Sequence, residues 1–341
     1  MLPGNSVPII FDHLRICISV YCNLRCEHCY FSEEYRDQYK RLLEPFQLSI
    51  GEITSFIDLL LERYLLRKIS VTGGEPLLEM VFPRSAALMA HANKRGLQVQ
   101  LNTRGLGQVQ IRDIVSIFDD PQKLILQFSF DGANRETMDR FRGRPGVYAS
   151  ALRQMFEAVH CGALVQAKMT ANRQNIGEAL EAYRLLSSIG IDSFRIEPVL
   201  GSGVALGNAD STFVSAEEVK YLQEALITKA AHTSTRLELP RPIFVDTSKP
   251  RLNVEFAETD CGATSVYLFA DGDLYRSPYV AGTPDSQEVL VGNIRAHEFD
   301  LDTAWRKSPA LERFRANTGR AKCWSELALL KNVEKGALAC A

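Results

Sequence analysis

Cys22, Cys26 and Cys29 form a C-x3-C-x2-C array in the stretch Tyr21-Cys22-Asn23-Leu24-Arg25-Cys26-Glu27-His28-Cys29-Tyr30. Three thiolates on one short loop hold three corners of a soft-metal site, since sulfur ligands select iron–sulfur clusters and zinc. A [4Fe–4S] cluster ordinarily takes four cysteines, so three would leave one iron open to another ligand. The competing reading is a zinc-stabilised binding module with His28 as the fourth ligand, Cys3His being a structural zinc set. His28 is adjacent to Cys29, which makes ligation by both awkward.

The array directly follows an apolar run at 13–20 that reads as a strand. Five more such runs follow, at 68–72, 97–103, 123–130, 163–170 and 193–200. Helical periodicity lies between them. Ile53, Phe56, Ile57, Leu60, Leu61 and Tyr64 share one face. Ala87, Met89, Ala90 and Ala92 lie in a second helix closed by Gly96, and Leu180, Tyr183, Leu185 and Leu186 in another stopped at Gly190. Six βα repeats in about 200 residues imply a parallel sheet, curled or closed, with ligands at the carboxyl ends of its strands. Those ends are polar: Thr72-Gly73-Gly74-Glu75-Pro76, Asn102-Thr103-Arg104-Gly105, Ser129 before Asp131-Gly132, Lys168 and Thr170, then Arg195 and Glu197. Singly each is ordinary, a Gly-Gly being a turn and a terminal Ser a cap. Together they ring one edge of one sheet.

On Cys22, Cys26 and Cys29 and on Gly73-Gly74-Glu75-Pro76, about the first 200 residues resemble the radical S-adenosylmethionine superfamily. The resemblance implies one [4Fe–4S] cluster on the three cysteines, its open iron chelating the amine and carboxylate of S-adenosylmethionine. It implies Gly73, Gly74, Glu75 and Pro76 at the methionine amine, His28 near the adenine, and Ser129 at the ribose or carboxylate. Thr103, Lys168, Thr170 and Arg195 are further cofactor contacts by the same resemblance, Arg195 because a guanidinium binds carboxylate bidentately. The implied reaction is reductive cleavage to a 5′-deoxyadenosyl radical, which takes a hydrogen atom from an unactivated C–H bond. An external donor such as flavodoxin or ferredoxin would supply the electron. The cofactor carries the hard chemistry and the protein orients it, so no Ser-His-Asp triad is needed, and none is found. A side chain at Gly74 is expected to push into the methionine moiety.

The C-terminal part is similar to the SPASM or twitch extension of that superfamily, through Cys261-Gly262-Ala263, Gly272-Asp273-Leu274-Tyr275, Gly292-Asn293-Ile294, Ala304-Trp305, Leu311, Phe314 and Cys323. Ser277 and Glu326 stand where that pattern has cysteines. With Cys261, Cys323 and Cys340 remaining, the expectation is a degenerate extension kept for packing, without an auxiliary cluster. Residues 266–269, an Asp271-Gly272 turn and Leu274-Tyr275 read as a β-hairpin, and 301–317 as a helix. Residues 215–231 read as a helix capped by Ser215, before a connector with Pro240, Pro242 and Pro250. Cys17, on strand one, and Cys161, near a helix end, read as small buried apolar residues. The expected fold class is α/β, a partial (β/α)6 TIM-like barrel with a small α+β C-terminal extension. The expected units are a core at 1–205, a helical and Pro-rich connector at 206–255 and the extension at 256–341.

Composition narrows the function class. The 341 residues are 46% hydrophobic and 23% charged, ordinary globular usage that excludes a disordered chain. Lys+Arg number 39 against 41 Asp+Glu, a net charge of −2, with no basic excess for nucleic acid. No signal peptide and no apolar run of about 18 residues is present, so a cytoplasmic enzyme without a membrane partner is expected. Three of the eight cysteines cluster, which favours metal binding over disulfides. Peptide maturases of the superfamily usually carry a leader-binding module ahead of the core and keep the auxiliary cysteines. Cys22 lies too early for the first, and Ser277 and Glu326 argue against the second. The expected substrate is therefore a small-molecule natural-product intermediate in antibiotic biosynthesis, such as a sugar, aminocyclitol or nucleoside. It would be dehydrogenated, epimerised or decarboxylated, as by a cytosylglucuronate-type decarboxylase. Glu197, Arg142, Arg144 and Tyr279 are the candidate substrate contacts. The alternative is a radical maturase of a ribosomally made peptide.

Overall fold

The computed structural model describes residues 11–39, 46–208, 212–240, 244–247, 251–256, 264–276, 290–297 and 299–307. Its strands, in chain order, are β1 (His13–Ser19), β2 (Lys68–Gly73), β3 (Gln98–Thr103), β4 (Leu124–Ser129), β5 (Leu164–Ala171), β6 (Ser193–Pro198), β7 (Arg236–Glu238), β8 (Val254–Glu255), β9 (Ser265–Leu268), β10 (Asp273–Tyr275) and β11 (Leu290–Asn293). They form one sheet in the order β11-β10-β9-β1-β2-β3-β4-β5-β6-β7-β8. All neighbours from β9 through β1 to β8 are parallel, and β10 and β11 add antiparallel. This is the expected partial α/β barrel. The six core strands agree with the sequence reading to within two residues at each end.

Strands covered on both faces ordinarily read as continuous apolar runs. These alternate instead. Leu14, Ile16, Ile69, Val71, Val99, Leu101, Leu126, Phe128, Val165, Ala167, Phe194 and Ile196 are buried in the hydrophobic core. The residues between them, among them Arg15, Lys68, Gln100, Gln127, Gln166, Lys168 and Arg195, line a central cavity. Side chains on one strand face opposite ways with period 2. An alternating sequence therefore packs helices on the outside and leaves a polar hollow within. Each buried large aliphatic side chain is worth roughly 1.5–3 kcal/mol, so the core layer lies between sheet and helices.

The helices supply that layer. Ile50–Arg63 starts at a reciprocal Ser49/Glu52 capping box and buries Ile53, Phe56, Ile57 and Leu60. Phe82–Lys94 buries Ser85, Leu88, Met89 and Ala92. Ala87, on the same helix, is exposed, because the apolar stripe is turned toward Leu88. Arg135–Phe141 and Val147–His160 follow β4, with Cys161 as the C-cap of the second. Ala179–Ile189 ends on Gly190 at φ 87°, and Ala216–Ala230 starts on the Ser215/Glu218 capping box.

The hairpin at Asp271-Gly272 forms as expected, with Gly272 at φ 97°. It does not stand apart from the barrel. β9 pairs with β1 in parallel from His13↔Ser265 to Ile16↔Leu268. On the other edge, β7 and β8 extend the sheet from within the stretch read as a connector. Of the helix expected at 301–317, Leu301–Lys307 is described and the remainder lies outside the described residues, as do Pro242 and Pro250. Trp305 packs edge-on against Phe11 at 4.6 Å, and Phe11 against Tyr64 at 5.3 Å. Tyr64 Oη donates to Asp302 at 2.9 Å. Trp305→Ala should therefore destabilise the protein by about 3–5 kcal/mol in chemical denaturation, the usual cost of truncating a buried aromatic.

Candidate active site

The cysteine loop leaves β1 at the carboxyl edge of the sheet and is held from three sides. The backbone N–H groups of Arg25 and Glu27 donate to the Arg142 and Phe141 carbonyls at 3.3 and 3.2 Å, docking the loop on the C-terminal end of Arg135–Phe141. Val204 N–H donates to the Cys29 carbonyl at 2.9 Å. Gly203 and Gly143 close the contact: a Cβ at the first would lie 2.3 Å from Tyr30 O, and at the second 2.6 Å from Arg25 O. Gln174 Nε2 donates to Glu27 at 2.6 Å. Cys22, Cys26 and Cys29 are all free thiols, with Cys26 buried and the other two half-buried. Among the described residues no three His, Cys, Asp or Glu side chains form a set that could hold a single metal ion, as the zinc reading needs. A cuboidal cluster takes its thiolates on separate corners and does not require them to converge on one ion.

Cys26, Cys29, Gly73 and Gly74 stand at the rim of a cavity of about 1090 Å³ that runs down the barrel. His28 also lines it. Its ring stacks on Phe141 at 4.6 Å, nearly parallel, and its Nδ1 is buried with no protein partner. Burial, and then the nearby Arg142, Arg104 and Lys168 cations, hold His28 well below the ordinary imidazole range, so the ring is neutral. A neutral ring with an unsatisfied buried nitrogen beside three free thiols is a fitting neighbour for a bound polar heterocycle and a cluster.

The Gly73-Gly74-Glu75-Pro76 turn works differently from the sequence expectation. Gly74 N–H donates to Ser19 O at 2.6 Å and Glu75 N–H to Tyr21 O at 2.7 Å. A Cβ on Gly74 would fall 1.9 Å from Tyr21 O, and one on Gly73, at φ 125°, 2.2 Å from Ser19 O. The missing side chains make room for the end of β1, so the expected clash of a Gly74 side chain with methionine is replaced by a clash with backbone. Glu75 is buried, and it also faces inward to the protein. Its Oε1 accepts from Thr103 Oγ1 at 2.9 Å and Leu77 N at 3.0 Å, and its Oε2 from Arg104 N at 2.9 Å and Arg104 Nη1 at 3.5 Å. Neither Glu75 nor Pro76 lines the cavity, whereas Gly73, Gly74 and Thr103 do.

Arg104, named in the sequence only as part of a polar strand end, has a specific place here. Its pairing with Glu75 puts a cation beside the loop: burial disfavours the charge, but Cys22, Glu75, Cys26 and Cys29 outweigh that and strengthen its hold on the proton. Burial and the neighbouring Cys26 push the Cys29 thiol up, while Arg104 and Arg36 pull it down. The signal in the sequence was an arginine directly after Thr103 at a strand end.

The remaining predicted residues form one polar row across the barrel. Ser129, Lys168, Arg195 and Glu238 are in register on β4 to β7, and Thr170 is in register with Glu197. Lys168 is ion-paired with Glu197, and Arg195 lies 3.8 Å from Glu197 and 3.7 Å from Glu238. Thus Lys168, Arg195 and Glu197, assigned separately to cofactor and substrate, belong to one network. Arg142 and Arg144 differ most from expectation. Arg142 is buried and ion-paired with Asp131, with Nη1 3.7 Å from Cys26 Sγ, and Arg144 donates to Asn23 O at 3.4 Å. Both brace the cysteine loop. Tyr279, Cys261, Ser277, Cys323, Glu326 and Cys340 lie outside the described residues.

The Radical SAM superfamily model matches residues 16–212, and the chain belongs to that superfamily. Its cofactors are accordingly a [4Fe–4S] cluster and S-adenosylmethionine. The chain is 27% identical over 312 residues to the mycofactocin maturase MftC of Mycolicibacterium smegmatis, covering 89% of this chain and 72% of that one. It is 30% identical over 165 residues to the Fe-coproporphyrin III synthase of Methanosarcina barkeri, covering 48% and 38%. The fold is similar to that of Streptococcus suis SuiB bound to its precursor peptide SuiA, with a TM-score of 0.66 at 15% identity over 93% of this chain and 69% of that one. Among the described residues no helix is long and apolar enough to cross a membrane.

Two outcomes check the site. Anaerobic reconstitution with iron and sulfide should give a brown protein with about four iron per chain. Cys22→Ala, Cys26→Ala or Cys29→Ala should abolish the visible absorbance, and stoichiometric zinc without iron would overturn the cluster assignment. Gly74→Val should lower the melting temperature of the apo-protein sharply, because its Cβ meets Tyr21 O. A variant that melts normally and has lost only cofactor binding would restore the methionine-clash reading.

Proposed function

We propose that this chain is a radical S-adenosylmethionine maturase that modifies an unactivated carbon of a ribosomally made peptide. Cys22, Cys26 and Cys29 hold the cluster, and His28, Gly73, Gly74, Thr103, Ser129, Lys168, Thr170 and Arg195 surround S-adenosylmethionine. When bound, these groups supply a reductively generated agent that removes a hydrogen atom from carbon. The protein does the rest. The neutral His28 ring offers an acceptor or donor nitrogen without adding charge. The backbone at Gly73-Gly74 allows close approach at the rim. Glu75 fixes that rim by tying β2 to β3, while Glu197 and Glu238, held by Lys168 and Arg195, orient the substrate below. An external one-electron donor such as flavodoxin or ferredoxin is part of the proposal, as is the division into 1–205, 206–255 and 256–341.

The observation that carries the peptide reading is the likeness to mycofactocin maturase over 89% of the chain. It extends beyond the barrel into the C-terminal part. It outweighs the argument for a small molecule, which rested on the early position of Cys22 and on Ser277 and Glu326. The cavity supports it further. At about 1090 Å³ it lies at the upper end of small-molecule sites, with space for a cofactor and an inserted side chain. A small-molecule substrate is the second reading, favoured by the match of 165 residues to a porphyrin-handling enzyme.

The test is release of 5′-deoxyadenosine by the reconstituted, reduced enzyme. A synthetic copy of a short peptide encoded beside this gene should raise that release severalfold and change mass. Stimulation by a sugar, aminocyclitol or nucleoside panel, with none by the peptide, would favour the second reading.

A further inference from the structure

Arg36, Arg104, Arg142 and Arg144 all approach the cysteine loop, and Arg142 is aimed at a sulfur. Arg142 follows the helix Arg135–Phe141 as its C-cap and is 3% exposed. Its carbonyl accepts from Arg25 N–H, so its backbone is fixed to the loop. Its Nη2 is ion-paired with Asp131, which has no exposed surface. Asp131 in turn accepts from Thr170 N–H at 2.7 Å through Oδ1, and its carbonyl accepts from Asn175 Nδ2 at 2.9 Å. The loop thereby holds the Arg142 backbone, and Asp131, itself tied to β5, holds the guanidinium. Nη1 is left 3.7 Å from Cys26 Sγ. Cys22 is treated differently, its sulfur accepting from the backbone N–H of Leu24 at 3.3 Å.

We propose that Arg142 is a positioning residue that acts through Cys26 to raise the reduction potential of the cluster, with Asp131 fixing its direction. The proposal rests on the reading of Cys26 as a cluster ligand. Reduction adds one negative charge to the cluster and its thiolates. A cation buried beside one sulfur, donating an N–H to it, stabilises the reduced form more than the oxidised one. Hydrogen bonds to cluster sulfurs and local charge are the levers by which proteins set such potentials. In a site shielded from water, a charge held in one place retains its effect. Asp131 offsets part of that charge, and in return it fixes the guanidinium so that Nη1 meets the sulfur. The arginine that sequence reasoning assigned to substrate thus faces the electron-accepting group.

The test is a redox titration of the reconstituted full chain, followed by electron paramagnetic resonance, with neither S-adenosylmethionine nor substrate present. Wild type, R142K, R142Q and R142M are compared, after iron content and melting temperature are matched to wild type. R142Q or R142M should show about a tenfold lower ratio of reduced to oxidised cluster at a fixed solution potential, which is about 59 mV for a one-electron couple. R142K keeps the charge and should stay within about threefold of wild type, a rescue that lost packing alone would not produce. Unchanged potentials in a fully loaded R142Q or R142M protein overturn the proposal. So does failure of both to load iron while R142K loads normally with an unshifted potential, which would make Arg142 an assembly residue. Loss of the cluster in wild type itself, or its persistence in C26A, would instead sink the site assignment beneath it.

Discussion

A carboxylate removed from water holds the rim of this cavity together. Burying an ionised carboxylate is costly unless its oxygens are fully hydrogen-bonded and a counter-charge is at hand. Glu75 meets both conditions, with Thr103, Leu77 and Arg104 as donors, while its own N–H is given to Tyr21. One residue therefore connects the ends of β2 and β3 through its carboxylate and the start of the cysteine loop through its N–H. It also sets the Arg104 cation beside the thiols. Without Glu75, Arg104 would lose its carboxylate partner, the Thr103 hydroxyl would lose its acceptor, and the loop would lose a wall. The glycines before it serve the same junction, because no side chain fits between the ends of β1 and β2.

Around that junction the barrel separates two tasks by the parity of the chain. One set of alternate residues makes the apolar layer under the helices. The other lines a hollow in which Lys168 and Arg195 pair with Glu197 and Glu238 across neighbouring strands. Pairing matters here, since isolated charges in a walled cavity would be expelled or neutralised.

Much of this was legible in the sequence. The six core strands, their helices and the cysteine array follow from apolar periodicity and from three cysteines after a strand. The polar hollow was legible too. The alternation in the β3 sequence Gln98-Val99-Gln100-Leu101-Asn102-Thr103 already separates an inner from an outer face. What sequence could not supply was direction. Arg142 and Arg144 follow a helix that the strand pattern leaves unplaced, and only docking of the cysteine loop on its end turns them toward Cys26 and Asn23. Gly74 read as space for a ligand because local sequence does not reveal that Tyr21, just past the end of β1, approaches it. β9 read as part of a separate hairpin because pairing across some 250 residues leaves no local trace.

That last pairing has a consequence for how the chain comes to be made. β1 emerges first and meets β2 soon after, but its other edge waits for β9, and Arg15 and Ser265 are 250 positions apart. Contacts between distant parts of a chain form slowly, since a long loop must close before any gain is realised. During synthesis the barrel therefore stands with one seam open along β1, next to the three thiols. An unpaired strand edge invites association with other chains.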